Sequence, residues 1–88
     1  MNWSIELSDQ AEKQLKKLPR NILSQVGKSI DAMEKDPFAG NVKALKGKEW
    51  EGWFRKRVGN YRIIFSLDHS THQLQVASIL PRSEKTYK

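Results

Sequence analysis

Arg55-Lys56-Arg57-Val58-Gly59-Asn60-Tyr61-Arg62-Ile63-Ile64-Phe65 is the stretch on which the fold turns, because two strand-like runs meet there at a Gly59-Asn60 turn signal. Side chains two residues apart leave the same face of a strand, so Arg55 and Arg57 project together. Closing the two runs as a hairpin sets Arg62 opposite Arg57. The second run separates its faces. Tyr61, Ile63, Phe65 and Leu67 make an apolar face suited to packing, while Arg62, Ile64 and Ser66 look the other way. Guanidinium stays charged at working pH and forks onto phosphate oxygens, so a rigid arginine cluster on a sheet suits a polyanion. A solvated strand face is the structural alternative for the same residues.

Downstream, Asp68-His69-Ser70-Thr71-His72 reads as a turn, and Gln73 to Leu80 as a third strand after Trp53 to Val58 and Tyr61 to Leu67. His69 and His72 are expected to be turn residues rather than metal ligands. Upstream, the period changes twice. Trp3, Ile5 and Leu7 alternate with polar residues as in a half-buried strand. Ser8 or Asp9 then opens a helix, with Glu12 three after Asp9 much as in a capping box, and Ala11, Leu15 and Leu18 form its stripe. Pro19 interrupts, and Ile22, Val26, Ile30 and Met33 carry a second helix to the Asp36-Pro37 stop. Gly27 inside that helix costs stability relative to alanine and suggests close approach of a neighbour. The fold class is α+β: an N-terminal strand, a helical hairpin, then an antiparallel three-stranded meander, with the helices on one face of the sheet. The other face is left for function.

Length and charge narrow the reading. Eighty-eight residues fit one domain spanning 1–88. Sixteen Lys and Arg against ten Asp and Glu give a net charge of +6, and the excess lies wholly after residue 41. Such a basic half favours nucleic acid, an anionic membrane or an acidic protein as partner. With no cysteine, a disulfide framework and thiolate metal ligation are both excluded, which suits a reducing cytosol. The first seven residues lack the apolar run of a signal peptide, and nothing is long enough to span a bilayer, so a cytoplasmic protein without membrane contact is expected.

The order and spacing of several short pieces resemble the RelE/ParE superfamily of toxins from type II toxin-antitoxin systems, and within it the RelE branch of ribosome-dependent messenger-RNA endoribonucleases. Those pieces are Ser8 opening the first helix, Leu18-Pro19 between helices, Leu45-Lys46-Gly47, Arg57 through Phe65, and Arg82 with Tyr87. The resemblance implies attack of the ribose 2′-OH on the neighbouring phosphate without metal or cofactor, with cations neutralising the charge that builds up. It implies phosphate binding by Arg62, charge stabilisation or leaving-group contact by Arg82, and stacking or hydrogen bonding by Tyr87. Arg55 and Arg57 fall where relatives carry basic residues, often lysine; arginine at that place is a poor general base. The proton acceptor therefore stays open among Glu51, Glu49, Lys48 and Tyr87. Lys46, Lys48 and Lys56 enter as auxiliary RNA contacts. Trp50 is a candidate for base stacking, whereas Trp3 and Trp53 read as core or partner-facing.

The same resemblance leaves two other readings: a ParE-like toxin that binds DNA gyrase without chemistry, or a decayed member that only binds nucleic acid. Under any of the toxin readings a cognate antitoxin protein is the expected partner, beside the ribosome and messenger RNA for the nuclease. An apolar helical hairpin and a basic sheet face offer such a partner a groove and a site for acidic residues.

Overall fold

The computed structural model describes residues 2–81 as a five-stranded mixed sheet with two helices laid on one face. In chain order the elements are β1 (Ser4–Leu7), α1 (Asp9–Lys16), α2 (Arg20–Met33), β2 (Val42–Ala44), a 3-10 turn (Lys48–Trp50), β3 (Trp53–Val58), β4 (Tyr61–Asp68) and β5 (Gln73–Pro81). The sheet order is β1-β5-β4-β3-β2. The meander β3-β4-β5 is as expected, but it is the middle of a larger sheet. β1 joins it parallel to β5, and the short β2 adds an antiparallel edge on β3. Three residues cannot display an alternation, which is why β2 is invisible to periodicity.

The helices form where their stripes predict. Ser8 caps α1: its Oγ accepts from the Ala11 N–H at 3.0 Å and donates to the Ala77 carbonyl at 2.7 Å. With Ser8 as the cap, the third helical position is Ala11, so Glu12 does not complete a capping box. Val26, Ile30 and Met33 of α2 and Ala11 of α1 are buried against Ile63, Phe65, Leu74, Val76 and Ile79 of the sheet. Phe54 stacks on Phe65 with ring centroids 5.7 Å apart. Gly27 marks no close approach, because nothing lies within 4 Å of the place its Cβ would occupy.

One irregularity decides which side chains reach that core. Ile64 pairs with Ser78, yet Phe65 pairs with Val76, so Ala77 is an extra residue on β5. Strict alternation from Leu74 and Val76 would put Ser78 in the core and Ile79 outside. The bulge reverses the parity, and Ile79 is only 1% exposed. The site is anchored on both sides. Ser8 holds the Val76 carbonyl through its N–H at 2.9 Å and the Ala77 carbonyl through its hydroxyl, and Gln14 Oε1 accepts from the Ile79 N–H at 2.6 Å.

Candidate functional site: the arginine face of the sheet

The hairpin turn works as the sequence suggests. Gly59 has φ 57°, a left-handed conformation that glycine adopts without the Cβ clash other residues meet. Turning there, β3 and β4 pair Val58 with Tyr61, Arg57 with Arg62 and Arg55 with Ile64. Arg55, Arg57 and Arg62 consequently share the sheet face opposite the helices. Lys43 of β2 pairs with Arg55 and is exposed, which adds a fourth cation that no sequence pattern marked.

The registers resolve this face into three rows, spaced about 6.6 Å apart along the strands. The first carries Arg57, Arg62 and Leu80; the second Lys43, Arg55, Ile64 and Ser78; the third Trp53, Ser66, Gln75 and Glu6. Ile64 and Leu80 are buried although both face away from the helices. The arginines flank them across the strands, and long arginine stems can shield apolar neighbours while the charged ends reach outward. Arg55, Arg57 and Arg62 are all half-buried. Arg55 Nη1 and Arg57 Nε are shielded from solvent and have no hydrogen-bond partner among the described residues. Donors held in that way can be satisfied by an incoming anion, and each charge-assisted bond to a phosphate oxygen is stronger than a neutral one.

The other candidate residues fall elsewhere. Lys56 alternates with the arginines, and so it lies on the helix side, 5% exposed, with its Nζ 3.4 Å from the Ser29 carbonyl. Burial there pushes its pKa down, and the Asp36 carboxylate opposes the shift in part. That position removes Lys56 from the arginine face, so the expected RNA contact is corrected to a buried ammonium beneath α2. Lys46 and Lys48 are exposed in the segment after β2, which Leu45 ties to the Trp53 end of β3 through an N–H to carbonyl bond of 3.0 Å. Glu49 and Glu51 belong to the same segment, so these candidate bases sit at the far end of β3 from Arg57. Arg82 and Tyr87 lie outside the described residues.

Aromatic residues redistribute too. Trp53 is on the arginine face, opposite Ser66, and not in the core. Its i, i+2, i+4 relation to Arg55 and Arg57 is the sequence signal that would have placed it. Trp50 packs edge-on to it at 6.4 Å. Trp3 stacks on His72 at 4.0 Å with His69 edge-on at 5.4 Å, so both histidines serve an aromatic corner beside the β4–β5 turn. In that turn the Asp68 carboxylate accepts from the Ser70 hydroxyl and from the Ser70 and Thr71 N–H groups, which holds it below the usual carboxylate range. Among the described residues no cluster of three His, Cys, Asp or Glu could hold a metal. No helix among them is long and apolar enough to cross a membrane.

Comparison with known proteins agrees with this architecture. Residues 5–86 match the family described as ParE toxin of type II toxin-antitoxin system, parDE. No curated protein matches the chain by sequence. Among solved structures the chain is similar to the archaeal RelE-RelB complex from Pyrococcus horikoshii OT3, with 24% identity and a TM-score of 0.81 over 97% of this chain and 100% of that one. It is also similar to the toxin-antitoxin complex RelBE2 from Mycobacterium tuberculosis, with 23% identity and a TM-score of 0.80 over 93% of this chain and 100% of that one. The isolated E. coli RelE toxin follows with 16% identity and a TM-score of 0.76 over 96% of this chain and 88% of that one. At such identities the structural likeness speaks for the shared fold, and the family match speaks for descent. The chain belongs to the ParE toxin family of type II toxin-antitoxin systems, within the RelE/ParE superfamily.

Proposed function

We propose that this toxin is a cytoplasmic endoribonuclease that cleaves messenger RNA on the ribosome and is held inactive by a cognate antitoxin. The observation that carries the reading is the cross-strand pair Arg57–Arg62 with Arg55 beside it, on a sheet face that no described helix covers. Like charges directly opposite on a sheet are unfavourable for stability. They are well suited to a dianionic phosphorane, whose equatorial oxygens need several fixed cations. In this mechanism the ribose 2′-oxygen attacks phosphorus, the bond to the 5′-oxygen breaks, and the products are a 2′,3′-cyclic phosphate and a 5′-hydroxyl. Arg57 and Arg62 hold the phosphate, while Arg55 contributes charge from the next row. Arg82 and Tyr87 are assigned to leaving-group stabilisation and base stacking on the strength of the RelE resemblance. The solved RelE-RelB and RelBE2 complexes support an antitoxin as partner.

One observation favours a second reading: the family that matches is that of ParE toxins, and a ParE-like protein would use the basic face to bind DNA gyrase. Mapping new messenger-RNA 5′ ends shortly after induction, beside a supercoiling assay with purified gyrase, separates the two. The nuclease reading expects new 5′ ends that disappear in a folded Arg57→Ala/Arg62→Ala variant, with supercoiling untouched. Gyrase inhibition without new 5′ ends overturns it.

A further inference from the structure

We propose that the third row of the arginine face is a guanine-selective base subsite, formed by Trp53, Gln75 and Glu6. The inference deepens the RNA-binding reading of this face and rests on it. Trp53 on β3, Ser66 on β4, Gln75 on β5 and Glu6 on β1 stand in one line across four strands. Although Trp53 and Glu6 are three strands apart, they line the same cavity of about 220 Å³ together with Gln75, Leu7, Ser8 and the Val76-Ala77 pair. That is below the ~300 Å³ at which pockets begin to hold drug-sized ligands, and so it suits a single base. The cavity lies beside the bulge at Ala77, and bulges commonly re-aim chain and side chains next to functional sites.

Chemistry decides which base. A half-buried indole offers a stacking platform to any base, so Trp53 alone does not discriminate. Glu6 does. Its carboxylate is acceptor-only, with two oxygens side by side. Guanine is the base whose Watson–Crick edge presents two adjacent donors, N1–H and the N2 amino group, and its O6 can accept from the Gln75 amide. Adenine, cytosine and uracil each turn at least one lone pair toward such a carboxylate. Glu6 and Gln75 are both exposed, so their side chains are accessible to a base entering from the β1 edge of the sheet. The acid is also well placed for the backbone. The phosphate-binding row of Arg57 and Arg62 is about 13 Å along the strands from it, a span that an extended dinucleotide covers, so phosphate and carboxylate do not collide.

The test is binding of short single-stranded RNAs carrying 2′-O-methyl groups, which cannot be cleaved by 2′-OH attack, with guanine, inosine, adenine, cytosine or uracil at one central position. The purified full chain should prefer guanine about tenfold over inosine, which lacks the N2 amino group, and over adenine. Glu6→Gln should lose that ratio while its affinity for the other oligonucleotides stays level or rises, because one negative charge has gone. Gln75→Ala, on the neighbouring strand, should weaken the guanine preference too. Equal binding of all bases by the unsubstituted protein, no binding at all, or a guanine preference that survives Glu6→Gln overturns the proposal. Messenger-RNA cleavage by the same preparation is read separately. A protein that selects guanine here yet never cleaves on ribosomes sinks the nuclease reading and leaves the subsite standing.

Discussion

Arg57→Gln should make the protein more stable and less functional at once. Arg57 and Arg62 are direct cross-strand partners, and Arg57 Nε is buried with no hydrogen-bond partner among the described residues. Two unit charges about 6 Å apart repel by about 0.7 kcal/mol at the dielectric of water and about 3 kcal/mol at an effective constant of 20. Measured cross-strand charge pairs on exposed sheets span about 0.2–1 kcal/mol, and the half-buried setting puts this one at the upper end. Glutamine keeps much of the stem, on the strand next to Ile64, while removing the charge. The expected gain is therefore about 0.5–1 kcal/mol, or roughly 3–6 °C in the melting temperature of a domain this size. Urea denaturation at 50 mM and 500 mM NaCl measures it. The gain should shrink at high salt, because screening lengths fall from above 10 Å toward 4 Å. Affinity for single-stranded RNA should fall at the same time, with a shallower dependence on salt. A destabilised variant, or a gain insensitive to salt, would refute the view that the arginine face is held at a cost in stability for the sake of an anionic ligand.

Two further outcomes follow from positions on the helix side. Lys56 has its pKa lowered by burial, so below that value both folded and unfolded chains are protonated and the cost of the buried cation is fully present. As pH rises through the lowered value the folded chain loses its proton first, and stability should increase until the unfolded lysine titrates near ~10.4. Lys56→Met should abolish this alkaline rise in stability, measured by urea unfolding between pH 7 and 10; parallel profiles for the two proteins would contradict the assignment. Gly27→Ala meets open space inside α2 and should stabilise by about 0.5–1 kcal/mol in the same assay, and any loss would mean that the helix surface there is occupied.

By itself the sequence determined the features that depend on neighbours close along the chain. Hydrophobic period marks α1, α2 and β3 to β5, and Pro19 and Asp36-Pro37 bound the second helix. A two-residue turn at Gly59-Asn60 leaves a single register for β3 and β4, so the Arg57–Arg62 pair and the company of Arg55 were legible from eleven residues. The same alternation implies that Lys56 lies on the opposite side and Trp53 on the arginine side. Those two placements required applying the register to every residue of the strand, not to the arginines alone. Tertiary structure decided what no local pattern encodes. β2 is too short to show a period, and it acquires strand geometry only by pairing with β3, which brings Lys43 beside Arg55. β1 reads as a strand, but its parallel seat against β5 joins residues about seventy positions apart, and only that seat carries Glu6 into line with Gln75 and Trp53. The bulge at Ala77 reverses the faces of the last strand because Ser8 and Gln14 of a distant helix take up backbone groups on either side of it. A period-2 reading has no means of foreseeing one extra residue whose hydrogen bonds lie more than sixty positions away in the chain.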